Sequence, residues 1–131
     1  NFTNQAAHAF LVGPATGSSA GPITARLMVP ADLPPQVVQS FAATQVFDAS
    51  AGTSFTLTLT GNVTSSSVTN PTAGEIITFI ITQDGTGNWA FAWPPNFKGA
   101  SVIGAAANSI SVQSFIFNGT FWLATGVGLT M

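Results

Sequence analysis

The sequence predicts an all-β protein: an antiparallel β-sandwich of jelly-roll type, preceded by an extended Pro/Gly-rich N-terminal arm. Apolar residues alternate with Thr and Ser at a period of two in several segments. No segment sustains a helical period, and the pairs Gly61-Asn62, Asp84-Gly85 and Asn118-Gly119 punctuate the alternation as turns. With 131 residues the chain has the length of one domain and enough material for a real core.

Residues 1–39 read as the arm and 40–131 as the sandwich. The arm holds most of the chain's eight prolines, and Gly13 to Pro22 (GPATGSSAGP) has linker composition. Prolines at 30, 34 and 35 block both helix and central strand around Leu27 to Pro35. Apolar side chains nevertheless recur along it, so the arm is expected to lie extended on a surface. Phe10, Leu11 and Val12 form the run expected to insert beside a neighbouring subunit.

In the sandwich, Phe55, Leu57 and Leu59 alternate with Thr56, Thr58 and Thr60. Gly61-Asn62 then turns the chain, and Val63 to Val68 reads as the return strand. Glu75 to Gln83 (EIITFIITQ) is β-branched and aromatic, with Ile77, Phe79 and Ile81 on one face, and reads as a central strand. Asp84 to Gly87 is a turn, Trp89 to Trp93 a further strand, and Pro94-Pro95 its stop. Asn108 to Phe117 and Thr120 to Thr125 form a hairpin, with Asn118-Gly119 as a two-residue turn. Its two faces are both apolar: Ile110, Val112, Ile116, Phe121 and Leu123 on one, Phe115, Phe117 and Trp122 on the other. Only one face can line the core of a two-layer sandwich, so Phe115, Phe117 and Trp122 are candidates for a subunit interface.

Charge excludes several functions. Only 5% of residues are charged, against roughly 25% in an average domain. The inventory is Arg26, Lys98, Asp32, Asp48, Glu75, Asp84 and the single His8. Nucleic-acid binding and a polybasic membrane patch both need clustered Lys and Arg, so neither partner is expected. Every long apolar run is interrupted by polar residues, which argues against membrane insertion. Without cysteine there is no disulfide or thiolate metal site. Asp84 to Asn88 (DGTGN) offers oxygen ligands but lacks the acid spacing of a calcium loop, so no metal and no cofactor is expected. Glu75 and Asp84 stand about 30 Å apart along one straight strand, too far for a glycosidase pair. No residue is a candidate for catalysis, and the protein is read as non-enzymatic.

Two binding signals remain. Trp89, Trp93 and Trp122 offer flat indole faces on which sugars could stack, Trp122 foremost. Asn1-Phe2-Thr3, Asn62-Val63-Thr64 and Asn118-Gly119-Thr120 match the N-glycosylation triplet, and Asn62 and Asn118 fall on turns where a glycan would fit.

The segment LVGPATGSSAGPITARLMVPADLPP (Leu11 to Pro35) resembles the "GP…ADLP" connector of phage and prophage tail-fibre proteins. LTLTGNVTSS, NPTAGEIITFIITQDGTGNWAFAWP and ANSISVQSFIFNGTFWLATG resemble, in that order, the β-rich module that follows it there. The resemblance implies a non-enzymatic, elongated homo-oligomer, often a trimer, on a virion appendage or cell surface. This chain departs from it in being one module with an arm and in its low charge; Thr82 stands where lysine is frequent. Those departures, with the apolar arm, lead to the expectation of an extracellular structural subunit that self-assembles with its own copies into a fibre or filament. Each arm would pack on the next subunit. A closed tail-fibre trimer and a carbohydrate-binding module for surface glycans are the alternatives.

Overall fold

The computed structural model describes residues 33–131 together with the backbone of two short arm strands, β1 (Phe10–Val12) and β2 (Thr24–Arg26). The chain divides into a unit over residues 1–34 and another over 35–131. In the first, β1 and β2 pair antiparallel, Leu11 opposite Ala25. The Gly13 to Pro22 linker, His8, Asp32 and the Asn1 triplet lie outside the described residues.

The second unit is all-β, as its alternation predicts, but its strands do not pair as an antiparallel sandwich. The larger sheet places β3 (Gln36–Gln39), β5 (Ser54–Leu59) and β7 (Ile76–Gln83) side by side in parallel. β9 (Ile110–Phe117) returns antiparallel to β7. Along the far edge of β9 lie β10 (Trp122–Ala124) and β11 (Leu129–Thr130), with β8 (Phe97–Lys98) parallel to β10. The second layer pairs β4 (Thr44–Asp48) with β6 (Ser65–Thr69), again in parallel, and a parallel bridge from Val63 to Phe91 extends it.

The chain thus passes from layer to layer through β3, β4, β5, β6 and β7 and coils as a short β-solenoid. One turn takes roughly 20 residues, the short end of the range for stacked repeats. Parallel stacking sets like above like: Val37 lies beside Phe55 and Phe55 beside Phe79, then Gln39 beside Leu57 and Leu57 beside Ile81. A period of two is common to parallel and antiparallel strands, so alternation alone cannot separate coil from sandwich.

Three local differences follow. The stretch after Gly61-Asn62 does not fold back on β5. The ring of Phe41 lies over Gly61, where a Cβ would approach it to 2.8 Å, and Thr64 N–H donates to Ala43 O at 2.8 Å, which carries β6 into the other layer. Gln36–Gln39, assigned from sequence to the arm, is the edge strand beside β5, so the folded unit starts at Pro35. Trp89 to Trp93 makes only the single bridge at Phe91 rather than a full strand.

The hairpin register also shifts by two residues, which leaves the faces unchanged. Trp122 faces Phe117 and Leu123 faces Ile116, so the loop runs from Asn118 to Phe121 and not over two residues. The Asn118 side chain is the reason: its Oδ1 accepts from Thr120 N–H (3.0 Å) and Phe121 N–H (2.7 Å), closing a wider turn. Other corners use Asn70, Asn88 and Asn108 with φ of 53°, 63° and 61°, a left-handed conformation that asparagine tolerates better than most residues.

The core lies between the layers, and Phe79 is its hub. Its ring meets Phe47 at 4.9 Å, Trp93 at 5.4 Å, Phe55 at 5.7 Å, Phe97 at 5.8 Å and Phe115 at 6.0 Å, mostly edge to face. It therefore joins β4, β5, β8 and β9 in one contact set. Phe79→Ala is expected to cost about 3–5 kcal/mol. Val102→Ala, at a site 92% exposed, should stay within about 0.5 kcal/mol. Urea denaturation of both variants checks the contrast.

Candidate assembly face and aromatic cleft

The carboxylates of the described residues are engaged locally. Glu75 Oε2 accepts from Thr72 N–H at 3.0 Å. Asp48 Oδ1 accepts from the Ser50 hydroxyl (2.7 Å), Ser50 N–H (3.0 Å) and Asn70 Nδ2 (2.9 Å). These bonds, that of the Ser50 hydroxyl first, hold its pKa below the usual value. Asp84 Oδ1 accepts from Thr86 N–H (2.9 Å), Gly87 N–H (3.0 Å) and the Trp89 indole Nε1–H (2.9 Å). Its pKa is lowered too, chiefly by Gly87 N–H and then by the indole. Gly87 is required there: its φ is +70°, and a Cβ would sit 2.6 Å from Ala107 N. Among the described residues no three His, Asp or Glu side chains gather as a metal site.

The residues singled out from sequence are distributed as follows. Phe115, Phe117 and Trp122 share a face, as predicted, but that face is the core side: Phe115 and Trp122 are fully buried and Phe117 is 8% exposed. The sequence reading put the wrong face outside, because both faces of the hairpin are apolar and alternation alone does not say which of them meets the other core rings, here Trp93 and Phe97. No face of Trp122 is open to a sugar. β1 holds Phe10, Leu11 and Val12 in backbone pairing with β2, and their side chains lie outside the described residues. Asn62 and Asn118 are exposed, each with its side-chain oxygen bonded to backbone: Asn62 Oδ1 accepts from Ala90 N–H at 2.8 Å.

The apolar surface lies instead on the outer side of the larger sheet. Register aligns Val38, Thr56, Ile80, Val112 and Leu129 in one row across five strands. A parallel row carries Ile76, Ile116 and Leu123, ending at Lys98, whose ammonium stands 4.9 Å from the Phe121 ring centroid. Between the rows, the Thr78 and Ser114 hydroxyls pair at 2.7 Å. Val38, Ile76 and Leu129 are 77%, 51% and 58% exposed. The outward positions of β3, β5, β7 and β9 carry no charged side chain.

A second feature is a cleft of ≈ 340 Å³ at the end of the smaller layer, between Trp89–Phe91 and Ala100–Ala105. Two buried amides build its walls. Gln83 accepts from Trp89 N–H (3.1 Å) and donates to Trp89 O (2.8 Å) and Gly104 O (2.9 Å). Gln113 accepts from Ser101 N–H (2.7 Å) and donates to Gly99 O and Gly126 O, each at 3.2 Å. Trp93 Nε1–H closes the floor onto Ser101 O at 2.9 Å. Sequence reasoning missed both glutamines. The signal was present: each occupies the phase of buried apolar neighbours, Gln83 with Ile77, Phe79 and Ile81, and Gln113 with Phe115 and Phe117.

The Asp84 network has an acid-side consequence. A carboxylate with a depressed folded pKa stabilises fully above its ordinary value of 3.8 and loses that contribution as pH falls through the folded value. The urea midpoint should therefore be flat from pH 7 to about 5 and fall below about 4. Asp84→Asn should start lower at pH 7 and fall less, Asp48 alone keeping a share; midpoints measured across this range test it.

Residues 44–122 match the family described as "Putative phage tail fibre C-terminal domain". Comparison with curated proteins and with solved structures gave no match. The matched stretch runs from β4 to the first residue of β10, and so takes in the parallel coil from β4 onward, the cleft, and the β5, β7 and β9 part of the outer sheet face. The chain belongs to this family of phage tail-fibre C-terminal domains.

Proposed function

We propose that this chain is a structural, non-enzymatic module of a virion appendage, in which copies pack through the outer face of the larger sheet. The row of Val38, Ile80, Val112 and Leu129 carries the reading. Rows of exposed apolar side chains on a regular sheet, here separated only by the neutral hydroxyls of Thr56, Thr78 and Ser114, mark a protein interface. Apart from Lys98 at its edge the face carries no charge, so identical faces can meet with few like charges buried, which suits a closed ring of copies such as a trimer. Membership of the tail-fibre family supports the same assembly.

An arm-linked filament is the second reading. A two-stranded ribbon such as β1–β2 is marginal alone and gains from pairing with a further strand, for which a neighbour's sheet edge would serve.

Mass in solution, measured by light scattering, separates these. The full chain should run at a multiple of 13.4 kDa. Ile76→Lys with Val38→Lys should reduce it to a single copy while the circular dichroism stays β-rich. Removal of residues 1–34 should leave the multiple unchanged in a closed oligomer and dissolve an arm-linked filament. A full chain that runs as one copy would sink the assembly reading.

A further inference from the structure

We infer that Asn118-Gly119 is a site of spontaneous modification, where the hairpin turn assists deamidation of Asn118 to aspartate through a succinimide. The inference does not depend on how copies of the chain assemble.

Asparagine is chemically labile, and attack on its side chain by the next backbone nitrogen is easiest where no Cβ shields that nitrogen. Of the chain's asparagines only Asn118 precedes a glycine. The turn then brings the reacting atoms together. Asn118 Oδ1 accepts from Thr120 N–H at 3.0 Å and Phe121 N–H at 2.7 Å, which curls the side chain forward over the Gly119 peptide. Both residues are exposed, and Gly119 N–H has no acceptor among the described residues. Even a Cβ at Gly119 would come no nearer than 3.9 Å to another side chain, so water reaches the nitrogen freely.

The chemistry needs only water. Gly119 N–H gives its proton to hydroxide, and its nitrogen bonds to Asn118 Cγ. The Cγ–Nδ2 bond then breaks, Nδ2 takes a proton from water, and ammonia leaves. Negative charge develops on Oδ1 during this addition, where the Thr120 and Phe121 N–H groups already stand as an oxyanion hole. Water opens the succinimide by the same logic: attack at Cγ again charges that oxygen, so aspartate is favoured over isoaspartate. The turn keeps the product, because both N–H groups donate more strongly to a carboxylate than to an amide. The product adds one negative charge to a chain of formal net charge −2, on the turn whose Phe121 ring faces Lys98.

Asp84-Gly85 repeats the arrangement, Asp84 Oδ1 accepting from Thr86 and Gly87 N–H. A carboxylate, however, expels nothing until it is protonated, and these bonds with that of the Trp89 indole favour its ionised form. It is the internal control.

The test incubates the full chain in mildly alkaline buffer, folded and in guanidinium, and follows it by isoelectric focusing. Cleavage after Lys98 releases Gly99 to Met131, in which electron-transfer fragmentation locates the modified residue and separates aspartate from isoaspartate. Asn118 is expected to convert at least tenfold faster than any other asparagine, faster folded than unfolded, and mainly to aspartate. Asp84 should yield no isoaspartate. Asn118→Asp should keep the β-rich circular dichroism and a urea midpoint no lower than that of the parent. Gly119→Ala should slow conversion at least tenfold. An Asn118 that persists in the folded chain, converts faster in guanidinium or gives mainly isoaspartate would overturn the inference.

Discussion

Parallel stacking of identical inward phases is the constraint on which the remaining structure rests. Because β5 sits beside β7 in register, Phe55 lies against Phe79, and Phe47 of the other layer can meet both rings. Displacing β7 by one residue would turn Phe79 outward and bring Ile80 in, exchanging the core for the outer face along the whole strand. The antiparallel part depends on the same ring, since Phe115 and Phe97 pack against it from β9 and β8. Fold, outer face and cleft therefore share one register.

Much of this was legible in the chain. The inward set Phe55, Leu57, Leu59, Ile77, Phe79 and Ile81 follows from alternation, and all six are buried. The central place of Ile76–Gln83 follows from its β-branched run on both faces, and it does lie between β5 and β9. Partner and direction were not legible. Whether Ser65–Thr69 pairs with β5 or with β4 is decided by Phe41 packing over Gly61 and by Ala43 accepting from Thr64, contacts between residues far apart in sequence. The hairpin register turned on one side chain, Asn118, whose oxygen took two backbone donors. That two-residue shift also explains how Trp122 comes to face Phe117 directly in the core.

The candidate site was legible in kind but not in place. The two-sided apolar hairpin was visible, and with it the need for a partner on one side. Which side was inward depended on which of them meets the other core rings, Trp93 and Phe97, and alternation alone does not say. Low charge on the outer face and buried glutamines beneath the cleft are two versions of one solution: polarity is supplied by neutral groups. Amides and hydroxyls satisfy backbone donors and acceptors without the desolvation cost of an ion. A domain with so few charges can then present flat sheet surface to another copy and still tie its long loops to the interior.

A coil of this type also makes length a countable quantity. Each additional pass between the layers would add one strand to each sheet, extending the body by about 4.8 Å along the stacking direction. The added turn would present the same inward phase to its neighbours as β5 presents to β7, so neither end of the body would need to change. An appendage assembled from such domains could be adjusted in reach by whole turns, like links in a chain, while its terminal surfaces and cleft are carried along intact.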